Sequence, residues 1–266
     1  MSAKPETSLS NSSHLQSGSL PEAAVIVADA HLGHSPDSAS DRAFNSFLES
    51  VPAMGNHLVI NGDLFDFWFE YRAVIPRSAF STLAALAAIQ KRGVRLTFVG
   101  GNHDRWGGRF WQEEMGGEYF RESGEVTLGG HRSLVHHGDG LASEHLGGVL
   151  MHRITRNPVT AWTFRFIHPD LGFWVVKRMS RVLGQKTRDG AVLNEAAQAQ
   201  SRLARRMLEE RPDIDLVVLG HTHRQAMEEV ADGRWYVNSG GWMEDLCFAV
   251  VTSDGPELRV YDARGV

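Results

Sequence analysis

At 266 residues, 42% hydrophobic and 22% charged, the chain has ordinary globular composition and enough length for one large core. Its single cysteine, Cys247, excludes an intrachain disulfide framework and a cysteine-based zinc cluster, and no run of about 18 apolar residues is present to span a membrane. The formal net charge of −5 is uneven: residues 150–188 carry eight Lys or Arg against Asp170 alone, a local +7 that leaves −12 elsewhere. Such a segment suits an anionic ligand or an anionic lipid surface, and the absence of interleaved base-reading motifs argues against nucleic acid.

Residues 1–22 are Ser-rich and read as a disordered tail, without the apolar core of a signal peptide or the arginines of a transit peptide. The domain proper is expected over 23–266. "AAVIVA" (23–28), "HLVIN" (57–61) and "VRLTFVG" (94–100) read as buried strands, separated by helices over 41–51 and 77–92. Apolar strands alternating with helices imply a largely parallel sheet covered on both faces. Shorter strands follow at "EYF", "EVTL" and "RSLVHH" from 118 onward, then a helix over 193–210, a strand at 215–220, and strands at 234–240, 247–253 and 257–263 that read as an antiparallel meander. The fold class is α/β (α+β by some schemes), a two-sheet sandwich flanked by helices, with 142–190 as an inserted helical subdomain. Within it "WVVKRMSRVL" (174–183) sets Val175, Met179, Val182 and Leu183 on one helical face and Lys177, Arg178 and Arg181 elsewhere. This basic amphipathic helix packs on the domain, lines an apolar substrate site or rests on a bilayer.

The expected strands end in polar clusters of one chemical character: "DAHLGH", "GDLFD", "GNHD", "HHGD" and "HTHR". In open α/β sheets ligands bind beyond the carboxyl ends of strands, so these clusters are expected to converge. Singly, each is as readily an ordinary turn or strand end; their number and order are what point to a site. Carboxylate, amide and imidazole donors without thiolate suit Mn²⁺, Fe²⁺ or Zn²⁺. Alternation along "SLVHH" sends His136 and His137 to opposite faces, so only one of them reaches such a site.

The ordered motifs Asp29-Ala30-His31, Gly62-Asp63, Gly101-Asn102-His103-Asp104, His137 and Gly220-His221-Thr222-His223 resemble those of the calcineurin-like metallophosphoesterases, over about residues 23–250. The resemblance implies a four-layer αββα sandwich of two mixed sheets holding two divalent ions, most simply Mn²⁺. Carried over by position, Asp29, His31, Asp63 and His223 bind one ion. Asp63, Asn102, His137 and His221 bind the other, with Asp63 as the bridge. Two ions roughly 3.5–4 Å apart clamp phosphate oxygens and activate a bridging hydroxide for in-line attack. The catalytic pair would be His103, stabilising phosphoryl charge or protonating the leaving group, and Asp104, orienting it.

Within that superfamily, "ADAHLG" (28–33), "GDLFDFW" (62–68), "HHGDGL" (136–141), the basic-aromatic insertion and "GHTHR" (220–224) resemble the UDP-2,3-diacylglucosamine hydrolases of lipid A biosynthesis. Those enzymes cleave a nucleotide-linked lipid to UMP and 2,3-diacylglucosamine 1-phosphate. The likeness implies substrate contacts from Asn102, His103, Arg181, Lys186 and His221, a cytoplasmic enzyme touching the inner-membrane surface through its cap, and no obligate protein partner. One motif departs: the family carries G-N-R-D where this chain has Gly101-Asn102-His103-Asp104. A phosphodiesterase or pyrophosphatase acting on another nucleotide or lipid-linked diphosphate is the alternative, and a non-catalytic scaffold the remote one. In "NGDLFDFWFEYR" (61–72), Asp66 falls outside the ligand set, Phe65 and Phe67 are expected to pack, and Trp68, Phe69 and Tyr71 to wall an acyl groove.

Overall fold

The computed structural model describes residues 19–33, 38–141, 157–183 and 190–264. Strands β1 (Ala24–Val27), β2 (His57–Asn61), β3 (Arg95–Val99) and β4 (Glu118–Phe120) are joined by helices α1 (Ala39–Met54), α2 (Phe80–Lys91) and the short α3 (Phe110–Glu113). The four strands run parallel. Every residue of β1 and β2 is buried, as a parallel strand covered on both faces requires. Helix α1 starts where Ser38 Oγ accepts from Asp41 N at 3.0 Å, and the Asp41 carboxylate also accepts from Gly33 N at 3.1 Å. The cap thereby ties the helix to the loop that leaves β1.

The second sheet contains β5 (Ser123–Leu128), β6 (His131–His136), β7 (Leu216–Leu219), β8 (Ala226–Ala231) and β9 (Arg234–Asn238), in the order β5-β6-β7-β9-β8. Between β6 and β7 lie α4 (Pro158–Phe164), α5 (Pro169–Leu183) and α6 (Gly190–Glu210). After α7 (Trp242–Asp245), β10 (Cys247–Thr252) and β11 (Gly255–Val260) return to the first sheet, whose order is β11-β10-β1-β2-β3-β4. The expected C-terminal meander is therefore corrected. β7 pairs with β9 in parallel, β8 joins antiparallel at the edge, and the β10–β11 hairpin lies on the other sheet.

The two mixed sheets pack face to face through Ile26, Val59 and Val99 on one side and Val135, Val218 and Val237 on the other. Phe44, Phe47, Leu48, Leu83 and Leu86 of α1 and α2 cover the outer face of the first sheet. Ala204 and Leu208 of α6 cover the second, against Val217, Leu219 and Tyr236. These are the four layers helix, sheet, sheet, helix, and they bring the ends of β1, β2, β3, β6 and β7 to one rim.

Of the expected tail, residues 1–18 lie outside the described residues, while Leu20 packs against the first core. Of the expected insertion, 142–156 and 184–189 lie outside them too. In the described part Pro158 and Pro169 stand first in α4 and α5, where a missing N–H costs nothing. Phe164 is buried, whereas Val159, Trp162, Phe166, Leu171 and Trp174 are exposed.

Candidate metal centre

The rim loops hold their polar residues in an unusual backbone state. Asp29, His31, Asp63, His221 and His223 have φ of 55°, 46°, 54°, 70° and 55°, and Leu246 alone joins them among described non-glycine residues with positive φ. Left-handed backbone costs a non-glycine residue roughly 1–3 kcal/mol, and it persists where the surroundings over-determine it. Here they do: Asp29 N donates to Gly62 O at 3.1 Å, His31 N to Asp63 O at 2.9 Å and Leu32 N to Leu64 O at 2.9 Å. Asp29 Oδ2 accepts from His221 N at 3.0 Å, which joins the two sheets at the rim. Gly62 and Gly101 keep the centre open, since a Cβ would fall on the His137 ring and on Asp63 Oδ1 respectively.

Six of the expected ligands converge in two adjacent groups. Ligand atoms of Asp29, His31 and His223 lie within 4.8 Å of one another, as do those of Asp63, His137 and His221. The groups share an edge: His137 Nε2 is 3.3 Å from Asp63 Oδ2 and 3.8 Å from Asp29 Oδ1, and His31 Nε2 is 3.8 Å from Asp63 Oδ2. Asp29, Asp63 and His137 are fully or almost fully buried.

Whether these residues suit divalent ions is decided by their unused atoms. Asp29 Oδ1, Asn102 Oδ1 and His137 Nε2 are buried and hydrogen-bond to nothing among the described residues. Three buried polar atoms left without a hydrogen-bond partner at one rim would each be costly in a site built only for packing. The other nitrogen of each anchoring imidazole is already committed: His137 Nδ1 donates to Asn61 O at 2.8 Å, and His223 Nδ1 lies 2.8 Å from Glu244 Oε1. That pattern turns both Nε2 atoms inward, the arrangement a ligating imidazole needs. The donor set fits.

Electrostatics sort the imidazoles. Burial, with the nearby His103 charge, lowers the His31 pKa to about 4 and keeps the ring neutral. Burial also opposes charge on His223, but the Asp29 and Glu244 carboxylates outweigh it and raise the pKa to about 10. For His103, burial is likewise outweighed, by Asp63 and the Asp66 carbonyl, and the pKa rises. Its Nδ1 donates to that carbonyl at 2.6 Å, its backbone N–H donates to Asp63 Oδ1 at 2.9 Å, and its ring stands edge-on to His31 at 4.6 Å.

Several expectations need correction here. The expected orientation of His103 by Asp104 is not among the hydrogen bonds of the described residues. Asp104 instead accepts from Gly101 N and Leu64 N, both at 2.8 Å, stapling two rim loops together, and burial and Asp63 raise its pKa to about 6. Asp66 supplies the orienting carbonyl, and its ligand atom falls within 4.8 Å of His31 and His103. The expectation that only one of His136 and His137 reaches the centre stands: His137 is among the grouped ligand atoms of the described residues and His136 is not, its Nδ1 accepting from Gly138 N at 2.7 Å. Trp68 is core rather than groove wall, stacked on Phe65 at 5.2 Å and against Trp111 at 5.0 Å. Phe67 meets the helical segment instead, at Phe173 (5.1 Å), beside Phe69 at Phe164 (4.8 Å) and Tyr71, whose hydroxyl lies where a Cβ on Gly172 would come within 2.8 Å. The Arg181 side chain and Lys186 lie outside the described residues. Glu244 escaped the sequence reading; the acidic pair Glu244-Asp245 after "NSGGWM" is its only signal.

Paired carboxylates and imidazoles at the strand ends of a two-sheet sandwich define a metallophosphoesterase, a hydrolase of phosphoester or diphosphate bonds. The family model for calcineurin-like phosphoesterases matches residues 24–225, and the chain belongs to that family. It is 28% identical over 241 residues to a UDP-2,3-diacylglucosamine hydrolase of Porphyromonas gingivalis, covering 85% of this chain and 92% of that one. It is 32% identical over 218 residues to the Azotobacter vinelandii protein of the same name, covering 79% and 86%. Among solved structures, Yfce, a phosphoesterase from E. coli, aligns at 14% identity and a TM-score of 0.42 over 91% of this chain and 94% of its own. No described helix is long and apolar enough to cross a membrane.

Proposed function

We propose that the chain hydrolyses the diphosphate of UDP-2,3-diacylglucosamine, releasing UMP and 2,3-diacylglucosamine 1-phosphate. The observation that carries this reading is the pairing of the rim centre with an aromatic-seated helical segment. Phe164 and Phe173 rest on Phe67, Phe69 and Trp106 while Trp162, Phe166 and Trp174 remain exposed. A soluble diester would need only the first part; an acylated substrate also needs apolar surface beside it.

In this reading Asp29, His31, Asp63 and His223 hold one divalent ion and Asp63, Asn102, His137 and His221 the other, with Mn²⁺ as the proposed metal. When bound, the ions supply charge neutralisation at phosphate oxygens and acidify water at the bridge. The chain's own residues do the rest. His103, with Nδ1 fixed by Asp66, presents Nε2 to the phosphoryl group, and its raised pKa suits it to give a proton to the departing phosphate. Arg181 and Lys186 contact the diphosphate, and the basic helical segment meets the anionic cytoplasmic face of the inner membrane.

The test is Mn²⁺-dependent release of UMP from UDP-2,3-diacylglucosamine in detergent micelles, with bis-p-nitrophenyl phosphate as a generic diester. Release of UMP that vanishes in Asp63→Ala is expected. Cleavage of the generic diester alone would move the assignment to another nucleotide or lipid-linked diphosphate. The Gly101-Asn102-His103-Asp104 motif, with imidazole where the resembling hydrolases carry guanidinium, is the feature that favours this second reading.

A further inference from the structure

Gln200 lies in the middle of α6, yet it is 1% exposed and its amide is used on both sides. Its Nε2 donates to Gly220 O at 3.0 Å and reaches Gly138 O at 3.5 Å. Its Oε1 accepts from Asn238 Nδ2 at 3.3 Å and from Thr222 Oγ1 at 3.4 Å. Asn238 closes the network, donating to Gly220 O at 3.3 Å and to Thr222 Oγ1 at 3.1 Å. Gly220 and Thr222 flank His221, and Gly138 follows His137, so one side chain grips both loops that carry these imidazoles. The same two loops meet through Gly220 N donating to His137 O at 2.7 Å. Thr222 and Asn238 are buried as deeply as Gln200.

His221 does not favour its left-handed backbone, and such a conformation survives only under outside constraint. The amide network is that constraint on the side of the second sheet. It touches no ligand atom and acts through backbone carbonyls. We propose that Gln200 is the positioning residue that locks the His137 and His221 loops in ligating geometry and so sets the affinity of the ion those two share, tying that ion to helix α6. The inference rests on the two-ion reading above.

The experiment is calorimetric titration of the full chain with Mn²⁺ alone, paired with electron paramagnetic resonance of the manganese pair, for wild type and Gln200→Met. Methionine keeps the volume and removes the hydrogen bonds. One of the two binding steps is expected to weaken about 10- to 100-fold, as for partners that orient metal ligands, while the other stays. The coupled-pair signal then requires correspondingly more Mn²⁺. Thr222→Val, which removes one strut, should shift the same step several-fold, and it serves if Gln200→Met does not fold. Unchanged affinities, or both steps weakening equally together with a fall in Tm, would overturn the positioning role. A wild-type chain that takes up fewer than two ions would overturn the two-ion reading, and this inference with it.

Discussion

Phe164 is, with Phe173, a side chain by which the described part of the segment between β6 and α6 grips the sandwich, and truncating it separates the two functions proposed for the molecule. The ring is 8% exposed and lies 4.8 Å from Phe69, 5.4 Å from Trp106 and 5.7 Å from Phe67, centroid to centroid. Phe164→Ala removes a buried aromatic at a cost of about 3–5 kcal/mol, of which the ring contacts account for about 0.5–1.5 kcal/mol each. Helices α4 and α5 have 7 and 15 residues, and helices of that length are marginal alone in water. The loss therefore falls on their seating. Taking about 3 kcal/mol, the ratio of seated to unseated segment drops more than 100-fold. Hydrogen exchange read by mass spectrometry should show protection lost in 158–183 and retained in β1, β2 and β7. UMP release from the lipid substrate should fall at least tenfold while bis-p-nitrophenyl phosphate turnover stays close to wild type. Equal loss of both activities, or lipid turnover surviving the loss of protection, would refute the assignment of lipid binding to this segment.

Three further outcomes follow from the same geometry. Burial and then the Arg95 charge lower the His57 pKa to about 4, against an unfolded value of about 6.5. The unfolded chain therefore takes up a proton that the native state refuses as pH falls below 6.5. Stability is lost progressively down to pH 4, by roughly 3 kcal/mol from this group, with no effect above 6.5. His57→Gln should flatten the pH dependence of the urea midpoint between pH 4 and 6.5, and parallel profiles would contradict it. Trp68→Ala should cost about 3–5 kcal/mol and lower Tm without raising KM for the lipid; a raised KM at unchanged Tm would return Trp68 to the groove. Glu244→Ala leaves His223 Nδ1 without its partner at 2.8 Å. It should weaken Mn²⁺ binding about tenfold or more, checked by calorimetry and refuted by wild-type affinity.

The parts of the fold legible in the sequence are those fixed by local pattern. β2 stands where its apolar run predicted, and so do α1, α2 and α6 within a few residues. Partner choice was not legible. Nothing in "CFAVVTS" says that its strand crosses back to β1, because Val25 meets Val250 only after the second sheet has been completed between them. Nor could alternation sort the aromatics of 64–70. Among the described residues that stretch pairs as β-structure only at isolated bridges, Leu32 with Phe65 and Phe69 with Trp106, so no constant period of two relates one side chain to the next. Trp68 and Phe67 exchange their expected roles for this reason.

The site was legible to a different degree because ligand chemistry restricts residue type where folding does not. Only a few side chains, acid, amide and imidazole among them, can hold a hard or borderline divalent cation, so a candidate metal site at five strand ends draws on a short list of residue types. The groups that orient them are under no such restriction. Asn61 serves His137 through its backbone carbonyl, as Asp66 serves His103, and any residue carries a carbonyl. One further feature is shared by these positions. Left-handed backbone costs any residue but glycine, and the five such positions at the rim are filled by aspartate and histidine, which tolerate it better than most. The conflict between local preference and observed backbone falls on residues of the centre, where side-chain chemistry rather than backbone comfort decides what can occupy the position.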